Sequence, residues 1–177
     1  MALRLTPEQA LKMGILSESK RTSGKLSKRE KIKAYLLKIQ SAQCKVTPLN
    51  NGALVEIEGL GVPSLNAMLD WDQKTEAYSY KKEWHKLIHY GALESNIKRT
   101  FKCINKPCEL KIVAYHTRLL DLDNICPKYL IDGIVRAGII QDDDPRYVAG
   151  YSVKQHKAKG RVPSIIVKLE YENETHK

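Results

Sequence analysis

The feature that most constrains the fold of this chain is a change of hydrophobic period near residue 52. From there Ala53-Leu54-Val55-Glu56-Ile57-Glu58 alternates as a strand, and Gly59-Leu60-Gly61-Val62-Pro63 ends it in a loop. Tyr80, Trp84, Leu87, Ile88 and Gly91 then recur at helical spacing, in a helix expected to continue to Phe101 with a bend near Gly91. Residues 110–116 are apolar and β-prone, and residues 125–137 read as a helix stopped by Gly138. Residues 147–153 and 163–171 alternate as strands around Lys157-Ala158-Lys159-Gly160. The resulting order, β-α-β-α-β-β with a terminal hairpin, predicts an α+β domain in which helices pack against a mixed β-sheet.

The first 50 residues read differently. Thr6-Pro7-Glu8 opens a short helix that Gly14 closes, and residues 17–25 form a polar, glycine-containing connector. Ser27-Lys28-Arg29-Glu30 is a capping box starting a second helix that runs to about Gln43, with Ile32, Tyr35, Leu36 and Ile39 on one face. Residues 1–50 hold 11 Lys and Arg against 3 Asp and Glu, whereas residues 51–177 hold 19 against 17. The expected organisation is a basic helical N-terminal extension over 1–50, followed by one compact domain over 51–177. Such an extension suits direct DNA contact, docking on a recombination partner, or a plain solvated tether.

Several classes are disfavoured. A chain of 177 residues with 42% hydrophobic and 28% charged content has the size and composition of a globular domain that needs no disulfide staples. Apolar runs such as Ile165-Ile166-Val167 fall far short of the roughly 20 residues that span a bilayer, so no membrane partner is expected. The residues after Met1 do not read as a secretory leader, which makes the cytoplasm the expected compartment. Cys103 and Cys108 lack a second pair at zinc-ligand spacing, so they and Cys44 and Cys126 are expected as free thiols. His85 and His89 stand four apart on a helix, again without a third ligand.

Against a net charge of +10, two acidic clusters are out of place: Asp121-Leu122-Asp123-Asn124 and Asp142-Asp143-Asp144. Neighbouring carboxylates repel unless a cation neutralises them, and hard oxygen ligands favour magnesium or manganese over zinc. A basic protein with a magnesium-type acidic site points to a phosphodiester substrate. The competing reading is two solvated acidic loops, with Asp123 a mere helix cap. An EF-hand fails because Ile125 stands where an oxygen ligand is needed and the glycine is missing. Asp121 and Asp123 follow a strand, and residues two apart in extended chain point to one side, so both carboxylates can converge on one ion. Asn124 or Asp123 suits the N-cap of the next helix; Pro127 falls in its first turn, and Lys128 follows. About thirteen helical residues would separate Asp123 from the helix end by roughly 20 Å. Asp143 would then join it either by an extended return or from a second subunit.

These residues resemble a known family, the RusA-type Holliday-junction resolvases common in bacteriophages and prophages. The resemblance runs over about residues 52–172. It rests on the strand entering Asp121-Leu122-Asp123-Asn124, then Lys128, Asp132, Ala137-Gly138 and Asp142-Asp143, with Pro63-Ser64-Leu65-Asn66 similar to the family's early proline-rich loop. It implies that Asp121, Asp123 and Asp143 bind magnesium, with manganese as a substitute, and that Lys128 is a further catalytic residue. The chain departs from the family pattern by one extra residue between Asn124 and Lys128, and by having only Arg118 where a basic run is usual. The implied function is a magnesium-dependent endodeoxyribonuclease that resolves Holliday junctions or related branched DNA by paired nicks, in the cytoplasm of a bacterial or phage-infected cell. A homodimer is implied by the two-fold substrate, with active sites that two subunits could share. Asn66, Arg118, Lys157, Lys159 and Arg161 are the candidate DNA contacts. The alternatives are a less selective flap or branched-DNA nuclease, and a catalytically silent DNA-binding or recombination-partner module.

Overall fold

A computed structural model describes residues 27–66 and 76–171. The helix expected from Thr6 and the connector over 17–25 lie outside the described residues. By its internal contacts the chain divides into two units, the first ending at Tyr35 and the second beginning at Leu36. The capping box is formed as its spacing predicts: Glu30 N–H donates to Ser27 Oγ at 3.3 Å, and Ser27 N–H and Oγ–H donate to Glu30 Oε2 at 2.8 and 2.7 Å. These bonds hold the Glu30 carboxyl below its ordinary range. Helix α1 (Lys28–Ser41) follows, ending two residues earlier than expected.

The next residues, assigned from sequence to the basic extension, form β1 (Gln43–Leu49), antiparallel to β2 (Gly52–Glu58). Only Val46 of β1 is buried, and its outward N–H donates to Ser95 Oγ at 3.1 Å. Pro48 is tolerated because β1 lies at the sheet edge, where a missing donor breaks no ladder on the open side. Helix α2 (Glu76–Glu94) buries Tyr80, Trp84 and Ile88 fully and packs on β1. The break expected near Gly91 falls instead at Asn96, in the left-handed region at φ 52°, before the short helix α3 (Ile97–Thr100). Gly91 serves close packing: a Cβ there would meet Cys44 O at 2.7 Å.

Strand β3 (Cys108–His116) alternates strictly, burying Leu110, Ile112 and Ala114. A crossover containing helix α4 (Lys128–Arg136) leads to β4 (Val148–Lys157), and β5 (Ser164–Glu170) closes the sheet. The order is β1-β2-β5-β3-β4, antiparallel except for the parallel pair β3 and β4. The α+β class with a mixed sheet is thus the observed one, whereas the order β-α-β-α-β-β lacked β1. The terminal hairpin is also corrected: β3 lies between β4 and β5. The turn at 158–163 spans it, with Ala158 N–H donating to His116 O at 2.8 Å and Gly160 taking φ 68°. Buried residues alternate along β2, β3 and β5, leaving Lys111, Lys168 and Glu170 on the opposite face, where Glu170 pairs with the lysines at 3.0 and 2.7 Å.

Helix α4 packs on α2 at Gly133, where a Cβ would meet the terminal Cδ1 of Ile88 at 2.6 Å. The two glycines should therefore respond differently to alanine. Gly91→Ala presses on backbone and is expected to cost about 1–3 kcal/mol through overpacking, net of the roughly 1 kcal/mol gained in helix propensity. Gly133→Ala presses on a movable side-chain end and should cost less. Urea denaturation midpoints of the two variants check the ranking.

Candidate functional site

The crossover between β3 and β4 carries all the acidic candidates. Before Asp121, the side chain of Gln155 on β4 pairs with the backbone of Leu120 like a strand neighbour. Its Oε1 accepts from Leu120 N–H at 3.0 Å and its Nε2 donates to Leu120 O at 2.9 Å. Asp121 is extended (φ −65°, ψ 148°), and Leu122–Asn124 then forms a 3-10 turn. The alternation that would point Asp121 and Asp123 to one side is therefore absent, since such a turn has about three residues per turn. Both carboxylates are exposed, and among the described residues neither has a hydrogen-bond or ion-pair partner.

Asn124 does not cap α4. Its Oδ1 accepts from Asn66 N–H at 2.8 Å, while Cys126 N–H donates to Pro63 O at 3.1 Å and Ser64 bridges Ile125. The proline-containing loop is thereby fastened to the segment just after the aspartates. Helix α4 starts at Lys128, with Pro127 at its N-cap and no side-chain cap, so it has nine residues rather than thirteen. At about 1.5 Å per residue it spans only about 13 Å. Gly138, at φ 76°, ends it as expected.

The shorter helix lets the later acidic cluster return. Asp143, Lys128 and Asp132 line one cavity of about 470 Å³, within a single chain. Asp132 shows 8% side-chain exposure and accepts from Lys128 Nζ at 3.2 Å. Lys81 Nζ, from α2, lies 3.0 Å from its other oxygen without hydrogen-bond geometry, and neutralises charge there. The bond to Asp132, its charge and that of Asp143 hold the Lys128 ammonium above the ordinary lysine range. Lys128 is thus a fixed cation rather than a base at neutral pH. Of the second cluster, Asp142 Oδ1 accepts from Asp143 N–H at 2.8 Å, and Asp144 is fully engaged by Arg146, with Nη2 at 2.6 Å and the backbone N–H at 2.8 Å. These bonds pull the Asp144 carboxyl below its usual range. Asp143 alone of the three has no side-chain hydrogen bond or close ion pair among the described residues, its charge acting on Lys128 across the cavity that both line.

Exposed carboxylates without partners are the donor chemistry a hard cation takes. Their placement in one chain is not a closed ligand set. Asp121 and Asp123 do not line the cavity that holds Asp143, and among the described residues no group of three or more His, Cys, Asp or Glu is gathered closely enough for a metal ion. The three aspartates therefore do not fit a preformed magnesium site within one chain. Of the other candidates, Arg118, Lys157, Lys159 and Arg161 are exposed, on segments joined by the bond from Ala158 to the end of β3; Asn66 is exposed beside Asn124.

Asp132 and Gln155 are the site residues that the candidate set omitted. From sequence Asp132 appears as an ordinary i,i+4 partner of Lys128, and nothing local signals that Lys81 comes to its other oxygen. Gln155 carries no sequence signal at all. Compared with protein-family models the chain matches none, and comparison with curated proteins likewise finds no match.

The Gln155 clamp is directly testable. Gln155→Ala should release the Leu120 amide and raise its hydrogen exchange on the order of tenfold, the equivalent of one hydrogen bond of about 1–1.5 kcal/mol. Gln155→Glu should also weaken the clamp, because a carboxylate can accept from Leu120 N–H but cannot donate to Leu120 O. Residue-resolved exchange by NMR measures both.

Proposed function

We propose that the chain is a divalent-metal-dependent endodeoxyribonuclease acting on branched DNA, four-way junctions foremost, as a homodimer. One observation carries the reading: Lys128, held as a cation by buried Asp132, shares a cavity with unpartnered Asp143 directly downstream of the exposed Asp121–Asp123 turn. The RusA-type resemblance rests on the same residues. Phosphodiester chemistry builds negative charge on oxygen, and a fixed ammonium at that point stabilises it. Arg118, Lys157, Lys159 and Arg161 supply phosphate contacts that position DNA without reading its sequence. Magnesium or manganese is the proposed cofactor. Since one chain does not gather the three aspartates, the metal is expected to bind weakly to free protein and more tightly with DNA present.

That Asp121 and Asp123 do not line the cavity shared by Asp143 and Lys128 favours a second reading, a DNA-binding or recombination-partner module without catalysis. Labelled four-way, flap and duplex DNA, with magnesium or chelator, separates the two. The first reading expects paired, symmetric nicks in the junction, and loss of more than about 100-fold with Asp123→Asn at retained binding, beyond what changes to outer-shell groups usually cost. Cutting of flaps and junctions alike would indicate the less selective nuclease. Binding without metal-dependent cutting of any substrate would establish the silent module.

Because Asp143 reaches the Lys128 cavity from its own chain, no second subunit is needed to deliver it there. Mixed dimers of Asp121→Asn and Asp143→Asn are accordingly expected to stay inactive. Nicking restored on mixing, with subunit exchange verified by mass spectrometry, would place Asp143 across the dimer instead.

A further inference from the structure

The cavity beside Lys128 has more room than the ion pair uses. Its apolar walls are Leu65, Ile125, Pro127, Ile131, Val148 and Tyr151, and its ionisable groups are Lys128, Asp132, Asp143 and the Cys126 thiol. A volume of about 470 Å³ falls within the ordinary range of small-molecule sites. Two of the wall residues are large and exposed, Tyr151 at 56% and Leu65 at 37%, which is a cost to a monomer unless something covers them.

We propose that this cavity takes one unpaired nucleobase of branched DNA, stacked on Tyr151, with Lys128 on the adjoining phosphate; the inference rests on the branched-DNA reading above. Three observations select that occupant. Tyr151 on β4 pairs in register with buried Leu110, so its exposed ring lies on the cavity side of the sheet, where a base can stack on it. Further along the strand Lys157 is exposed on the same face as Tyr151, since it pairs with His116 as Tyr151 pairs with Leu110, and it adds a cation on the cavity side in a chain of net charge +10. Inside, Asp132 is neutralised by its two lysines, and the Asp143 carboxylate offers an acceptor to the N–H edge of a base.

Stacking a base on an aromatic side chain tolerates any base and is comparable in size to the cost of taking a base out of a paired duplex, a cost that is least where pairing is already broken. The two quantities nearly balance, so the cavity would fill at a branch point and stay unfilled along intact duplex. That would give selectivity for structure without a sequence code, independent of the metal.

The experiment uses full-length protein and four-way junctions carrying 2-aminopurine at successive branch-point positions, with chelator present so that no strand is cut. Binding should change the fluorescence by at least about twofold at one or more branch positions and not in duplex, as expected for a base leaving its stack. Tyr151→Phe should retain the response. Tyr151→Ala, which removes the platform, should abolish it while junction binding persists. A response untouched by Tyr151→Ala, or none at any position, overturns the proposal. Nicking assayed with magnesium on the same preparations keeps the readings apart. Cutting without a fluorescence response leaves the nuclease and removes the base site, whereas a Tyr151-dependent response without cutting keeps the base site and removes the nuclease.

Discussion

The parallel pairing of β3 with β4 is the constraint on which the rest of this molecule depends. Every other neighbouring pair in the sheet is antiparallel, and β5 already occupies the second edge of β3. Two parallel neighbours cannot be joined by a tight turn, so the chain must leave the sheet after His116 and return at Val148 by a crossover. That crossover is where Asp121, Asp123, Lys128, Asp132 and Asp143 all reside. The candidate site is therefore a product of strand order before it is a product of any motif.

Within the crossover, hydrogen bonds sort the acidic residues by availability. Asp142 and Asp144 are consumed locally, one by a backbone N–H and the other by Arg146, and Asp132 is shared between two lysines from different helices. Burying Asp132 without those lysines would cost several kcal/mol in desolvation, so its position presupposes the packing of α4 on α2. What remains without partners among the described residues is Asp121, Asp123 and Asp143. The carboxylates that the fold leaves unused are thus the ones that metal chemistry would need, although one chain does not bring them together.

How much of this was legible in the sequence follows from the range of each signal. The strands β2, β3 and β5 and the helices α1, α2 and α4 announce themselves by local period, and the Ser27–Glu30 box by a spacing of three. Strand β1 did not, because Val46 is its single buried residue and Pro48 counts against a strand unless the edge position is known. The apparent hairpin had suitable turn residues in Lys157-Ala158-Lys159-Gly160, but turn chemistry says only that the chain reverses, not which strand lies beside it. Asn124 has the chemistry of a helix cap, yet its oxygen goes to Asn66, 58 residues away. Placing the start of α4 three residues too early and its end one too late lengthened it by four, and that length is what made delivery of Asp143 from a second subunit an alternative to an extended return.

Strand β4 shows how a structural liability and a functional opportunity can coincide. It forms the open edge of the sheet beyond β3, and residues 149–152 are exposed on both faces, the condition under which edge strands pair with strangers. Lysines along such an edge oppose that pairing, and Lys154 and Lys157 lie there exposed. The same charges that repel a second strand attract a phosphodiester backbone, which carries no N–H or C=O ladder to complete a sheet. An edge protected by lysine, and among the described residues not paired with a further strand, is closed to one class of polymer and open to the other. With Gln155 spending its amide on Leu120, this strand also holds the acidic turn in place, so a single element both presents a cationic surface and positions the carboxylates beside it.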